Sequence, residues 1–111
     1  MAFQLTPRYI FLLLIAAAVV LEVIGDIFIK KWTIDSKSIL LLIGIAIYLA
    51  GSAFWIVSLK YEFLSKAISV FTILNLVLIV LAGVFIFKED LSLINKIGIG
   101  IGAISILLIE A

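Results

Sequence analysis

Two carboxylates interrupt a long apolar stretch near the start of the chain. Glu22 is followed by Asp26 and Lys30 at intervals of four residues, so the three side chains share one face of a helix. Ala18 and Gly25 lie on or beside that face, and their small size leaves room for a second helix or a ligand. A charged side chain at the centre of a bilayer costs about 2.5–3.5 kcal/mol on insertion scales. Because two such residues are costly to insert, the pattern predicts that Glu22 and Asp26 have a functional role.

The composition identifies the surroundings of these carboxylates as a membrane. Of the 111 residues, 67% are hydrophobic and only 14% are charged, with a mean hydropathy of +1.47. Soluble domains are about half apolar and a quarter charged. This chain has too few polar side chains to cover a water-facing surface, so we predict a multi-pass integral protein of the cell (inner or plasma) membrane.

The residue types that are missing exclude several kinds of chemistry. The sequence contains no cysteine and no histidine. This excludes disulfides, thiol chemistry, the usual zinc sites and the catalytic triads that need an imidazole. The net charge of +1 comes without a basic cluster, which argues against a nucleic-acid partner. We therefore expect no enzyme activity, no metal and no cofactor.

Four apolar runs predict four transmembrane helices. Their expected bounds are about residues 9–29, 38–59, 67–87 and 93–109. Residues 30–37 are expected to form the first loop, and no linker or duplication divides the chain. The expected fold is an all-α four-helix membrane bundle in a single domain, residues 1–111. The first run is too long for a signal-peptide core, so we expect it to be retained as a helix.

Further site candidates lie on the second and third helices. Phe54 and Trp55 end helix 2, while Phe71 and Asn75 are four residues apart on one face of helix 3. We include these four in the predicted substrate site with Ala18, Glu22 and Asp26. Plain packing is the alternative for the aromatic side chains, and an interhelical hydrogen bond is the alternative for the amide.

Small residues on helix 4 predict close contact with another helix. Gly98 and Gly102 make a small-xxx-small pair, and Ser105 lies seven residues after Gly98 on the same stripe. Four helices are too few to enclose a polar pathway comfortably, so we predict that this stripe forms a subunit interface. A contact inside one bundle is the alternative.

The basic residues near the helix ends only weakly favour one orientation of the chain in the membrane. The side of the amino terminus carries three of them, against five on the other side. They are Arg8, Lys60 and Lys66 against Lys30, Lys31, Lys37, Lys88 and Lys96. Insertion in both directions is compatible with this balance. We therefore expect a homodimer, with an antiparallel arrangement of the two chains as one form of it.

Several short motifs, taken together, resemble the small multidrug resistance family of the drug/metabolite transporter superfamily. They are Glu22-Val23-Ile24-Gly25 followed by Lys30, then Phe54-Trp55, Phe87-Lys88-Glu89-Asp90-Leu91-Ser92-Leu93, and Ile97-Gly98 with Ser105. The resemblance covers nearly the whole chain. It implies a four-helix dimer in which the helix-1 glutamate, here Glu22, binds both the proton and the cationic substrate.

The chain departs from that family mainly in helix 3. Phe71 stands at the position of a binding-site tryptophan and Ile68 at that of a tyrosine, while Asp26 replaces a threonine in helix 1. Helix 3, with Leu64-Ser65-Lys66-Ala67 leading into it and Leu74-Asn75 inside it, is more similar to the small lipid-sugar flippase subunits of the same superfamily. Those subunits lack the helix-1 glutamate.

Three functions are therefore open. The first is a proton-coupled antiporter that exports small organic cations, with multidrug-like or polyamine-like substrates. The second is a subunit of a lipid or lipid-linked sugar flippase. The third is a non-transporting accessory protein or one half of a heteromeric pair. Glu22 favours the first function and the helix-3 residues favour the second. For Asp26, an ion pair with Lys30 is the alternative to a role in substrate binding.

Overall fold

The computed structural model describes residues 7–110, with the side chain of Glu110 left out, and it is all-α over that range. The four helices are α1 (Pro7–Asp35), α2 (Ser38–Ser58), α3 (Leu64–Phe85) and α4 (Leu93–Glu110). The first three are long and apolar enough to cross a membrane, and α4 is the shorter apolar helix. The predicted fold class, a four-helix membrane bundle, is confirmed.

The first helix is longer than the sequence predicted. It extends to Asp35, so most of the predicted first loop at 30–37 is helical. Ser36 ends the helix with a left-handed backbone (φ 57°), and its N–H donates to the carbonyl of Trp32 at 2.8 Å. The predicted end marks the point where apolar residues stop, but the helix continues through Lys30 and Lys31, which are good helix formers.

The third helix begins and ends earlier than predicted. Leu64, Ser65 and Lys66 form its first turn, because Phe63 has an extended backbone and its carbonyl accepts the N–H of Ala67 at 2.8 Å. At the other end, α3 stops at Phe85, two residues before the predicted end. The second and fourth helices differ from prediction by one residue each.

The first helix is the centre of the packing. It contacts α2 along most of its length and contacts α3 on another face, whereas α4 packs chiefly against α3. The buried apolar core consists of side chains from α1 and α3. Its members are Phe11, Ile15, Val19, Val23, Ala67 and Val70. On the predicted site face of α1, Ala18, Glu22 and Gly25 are buried, whereas Asp26 is half-buried and Lys30 is exposed.

The contact between α1 and α2 is close because glycines lie on both sides of it. A Cβ atom added to Gly25 would lie 2.9 Å from the carbonyl oxygen of Gly44. One added to Gly44 would lie 2.7 Å from Cγ1 of Ile29 and 3.0 Å from the carbonyl oxygen of Gly25. Small residues are what allow helix backbones to approach closely in a membrane, where apolar burial gives no drive for association.

We expect Gly25→Ala to destabilise the protein, because the added methyl group meets backbone atoms that cannot move aside. Overpacking of this kind typically costs about 1–3 kcal/mol. Gly100→Ala is the matched control, since a Cβ at Gly100 meets nothing within 4 Å. Unfolding by SDS in mixed micelles measures both variants. Equal stability of the two variants would contradict the close α1–α2 contact.

Candidate functional site

Glu22 is buried in the contact between α1 and α2. Its exposed fraction is only 7%, and it lies near the middle of the 29-residue α1. The opposing residue on α2 is Gly51, where an added Cβ would lie 2.8 Å from Cγ of Glu22 and 3.0 Å from the carbonyl oxygen of Ala18. The absence of a side chain at Gly51 therefore provides the space that the glutamate occupies.

A serine on α2 provides the polar contact of this carboxylate. The hydroxyl of Ser52 lies 3.4 Å from Oε1 of Glu22, within donating distance, and 3.1 Å from the carbonyl oxygen of Tyr48. One hydroxyl proton serves one acceptor at a time, so the two oxygens compete for it. Ser52 is not among the site residues predicted from the sequence. The available signal was a hydroxyl directly after Gly51, in a run of small residues at 50–53.

Asp26 faces a different part of the structure. It is half-buried and lines a cavity of about 260 Å³ between α1 and α3, together with Lys30 of its own helix and Glu89 after α3. Within residues 7–110, Asp26 and Lys30 form no ion pair, although their spacing permits one. The ion pair with Lys30, which was the alternative to a substrate-binding role for Asp26, is therefore not seen in the structure.

The predicted aromatic residues lie in two different parts of the structure. Trp55 of α2 and Phe71 of α3 are in contact, with ring centroids 4.8 Å apart and an angle of 49° between the rings. Both pack against the core cluster on α1 and α3. Phe54 lies elsewhere, 40% exposed, and lines a shallow groove with Leu14, Ala53 and Val57.

Asn75 carries an unsatisfied polar atom. Its Oδ1 is buried, and within the described residues it accepts no hydrogen bond. It lies one helical turn after Phe71 on the face of α3 that also carries Ile79 and Ala82. The alternative, in which this oxygen accepts an interhelical hydrogen bond, is not what the structure shows within the described residues, and the oxygen is covered by the chain itself.

The small residues of α4 do not all face the same neighbour. A Cβ at Gly98 would meet nothing within 4 Å, whereas one at Gly102 would lie 3.8 Å from Ile73 and 3.9 Å from Leu76 of α3. The hydroxyl of Ser105 donates to the carbonyl of Ile101 at 3.0 Å. Gly98 therefore lies on the open side of the stripe, and Gly102 lies against α3.

The geometry around Glu22 supports the binding of a proton or a monovalent cation. Over the part of the chain that the structure describes, no three acidic, histidine or cysteine side chains converge as metal ligands. The site consists of the buried carboxylate of Glu22 at the contact between α1 and α2, with the hydroxyl of Ser52 beside it. A carboxylate away from water is stable only when it is protonated or paired with a cation.

Comparison with known proteins gives two matches. The family model described as "Small Multidrug Resistance protein" matches residues 8–109. A relative from Hamiltonella defensa subsp. Acyrthosiphon pisum (strain 5AT), described as a probable 4-amino-4-deoxy-L-arabinose-phosphoundecaprenol flippase subunit ArnE, is 39% identical over 82 residues. That alignment covers 71% of this chain and 73% of the relative. No solved structure gives a significant match.

The contact between Ser52 and Glu22 can be tested directly. We expect Ser52→Ala to shift the infrared carboxyl band of Glu22 to higher frequency, because its oxygen loses a hydrogen-bond donor. The band is assigned by its disappearance in Glu22→Gln. Ser69→Ala is the matched control, since the hydroxyl of Ser69 also donates to a carbonyl four residues earlier, that of Ser65. Identical spectra for the wild type and Ser52→Ala would refute the contact.

Proposed function

The chain belongs to the small multidrug resistance family of membrane transporters, and we propose that it is a proton-coupled antiporter that exports small organic cations. The single observation that carries the proposal is the burial of Glu22, which is 7% exposed in the middle of a membrane-spanning helix. The resemblance drawn from the sequence motifs to this family is confirmed, as is the prediction of a multi-pass membrane protein.

Exchange follows from the limits on a buried carboxylate. Glu22 is neutral when it binds a proton and is neutralised when it binds an organic cation, and both occupants need the same oxygens. Release of one therefore permits binding of the other. When the site opens alternately to the two sides of the membrane, this competition moves protons and cations in opposite directions.

Access to Glu22 requires movement at the α1–α2 contact. The side chain is almost completely covered, and Gly51 and Ala18 leave little free space around it. A cation reaches the carboxylate when the two helices shift or rotate against each other. We propose that the glycine contact is the place where this shift occurs, because glycine surfaces slide without interlocking side chains.

The other predicted site residues contribute less than Glu22 in this mechanism. Trp55 and Phe71 form an aromatic wall, with Phe71 contributing less cation–π attraction than a tryptophan would. Phe54 lies toward the outside in this chain. Asp26 adds negative charge one turn, about 6 Å, from Glu22, which favours substrates with a second positive charge.

We further propose a homodimer, with the two chains antiparallel. Two features support it: the small difference in the number of basic residues between the two ends of the helices, and the open apolar side of α4 around Gly98. In such a dimer the substrate, the proton and the membrane lipid are the remaining partners, and each chain contributes one Glu22.

A second candidate function is supported by the relative from Hamiltonella defensa. That protein is described as a probable flippase subunit for a lipid-linked amino sugar. The candidate is that this chain is a subunit of a lipid-linked sugar or lipid flippase, or one half of a heteromeric pair. An amino sugar carries an ammonium group, so Glu22 could bind this substrate as well.

We expect Glu22→Gln to abolish proton-driven uptake of organic cations into vesicles with an acidic lumen. Glutamine keeps the volume and hydrogen-bonding capacity but cannot exchange a proton. Glu22→Asp should retain weak uptake because the carboxylate remains with a shorter reach, and Asp26→Asn should change affinity without abolishing transport. Asp35→Asn, an exposed acid at the end of α1, is the control and should transport like the wild type.

Two results would decide against the antiporter. One is normal uptake by Glu22→Gln under a proton gradient, and the other is loss of uptake in Asp26→Asn alone. Vesicles containing a lipid-linked amino sugar test the second candidate: proton-independent movement of that lipid between leaflets, with no uptake of soluble cations, would favour the flippase.

The subunit interface is tested by Gly98→Leu. We expect it to weaken dimerisation in detergent crosslinking several-fold, because the bulky side chain separates the facing helices. Gly100→Leu is the control, since it lies on a different side of α4 and also meets nothing within 4 Å. Gly102→Leu is less informative because it would also disturb the packing on α3. Unchanged dimer content in Gly98→Leu would place the interface elsewhere.

A further inference from the structure

We propose that the cavity between α1 and α3 is a second cation site, separate from Glu22, that binds the ammonium group of a small apolar amine. The cavity has a volume of about 260 Å³ and opens beside the end of α1 that carries Lys30. Glu22 does not line it. The proposal goes beyond the antiport reaction and does not require it.

The walls of the cavity are mostly apolar. Ile27 of α1, Ile79 of α3 and Phe87 form the large surfaces, while Ala82 and Gly83 leave space between the helices. Such a surface accommodates a hydrocarbon chain. Sites for drug-sized ligands typically measure about 300–1,000 Å³. This cavity is smaller, so it fits an amine with a short carbon chain rather than a large polycyclic cation.

Two carboxylates give the cavity its charge. Asp26 and Glu89 line it from different elements, and Lys30 is the one basic residue in the lining. Within the described residues, neither carboxylate forms an ion pair, and Lys30 does not pair with Asp26. The lining therefore carries one negative charge in excess and has two free acceptor groups, which is what an ammonium group requires.

Glu89 is directed over the cavity by the backbone that follows α3. Lys88 has a left-handed backbone (φ 53°), and the N–H of Glu89 donates to the carbonyl of Gly83 at 3.1 Å. The carboxylate of Glu89 then lies directly against Gly83, in the space that a Cβ atom would occupy. The glycine thus allows an acidic side chain from the loop to reach back beside α3.

The two acidic sites on α1 face different neighbours. Glu22 contacts Ser52 of α2, whereas Asp26, one turn further along, lines the cavity beside α3 together with Glu89. Asp26 also lies within electrostatic range of Glu22 and of Tyr48 on α2. A cation in the cavity would therefore lie about one turn from the Glu22 site, toward the end of α1.

The test is calorimetric titration of the purified full-length protein in detergent with hexylammonium chloride. All variants are made in a Glu22→Gln background, which removes the proposed exchange site and keeps the two proposals separable. We expect binding to persist in Glu22→Gln alone. Asp26→Asn and Glu89→Gln should each weaken it about tenfold or more, the usual effect of losing a charge-assisted hydrogen bond.

Two controls separate specific binding from other effects. Asp90→Asn removes the neighbouring acid of the same loop, which does not line the cavity, and should leave the affinity unchanged. Hexanol has the same chain without the charge, and its heat should not depend on Asp26. The proposal is overturned by absent binding in Glu22→Gln, by equal affinity in all variants, or by equal weakening in Asp90→Asn.

Discussion

The close contact between α1 and α2 is the constraint on which the rest of the structure depends. Gly25 meets Gly44 and Gly51 meets Glu22 without intervening side chains, so the backbones approach closely where lipid gives no drive for association. This contact removes the Glu22 carboxylate from the hydrocarbon without exposing it to bulk water. A wider separation would leave the charge facing lipid, and a bulkier residue at position 51 would fill its place.

The two acids of α1 illustrate how one helix creates two environments. Residues four apart lie on the same side of a helix, but α1 packs against α2 and against α3. Glu22 therefore contacts α2, while Asp26 lines the cavity beside α3. The first carboxylate has a hydroxyl neighbour and almost no exposed surface. The second forms no ion pair within residues 7–110 and lines a cavity. We attribute proton exchange to the first carboxylate and the binding of a separate cation to the second.

The sequence was sufficient to predict the helices, the membrane location and the family, because apolar runs and the Glu22 motif are local signals. It placed the end of the first helix too early, since apolar residues mark the lipid boundary and not the last hydrogen bond of the helix. The roles of Ser52 and Glu89 could not be predicted in the same way. They depend on which helix faces which, and on the left-handed turn at Lys88.

The central claim is that Glu22 binds either a proton or a cation. The most direct test is proton release from the purified protein in weakly buffered detergent solution when a saturating organic cation such as tetraethylammonium or a primary alkylammonium is added. The account predicts that protons are released in proportion to the bound cation, and that Glu22→Gln releases none. Cation binding without proton release in the wild type, or undiminished release from Glu22→Gln, would contradict it.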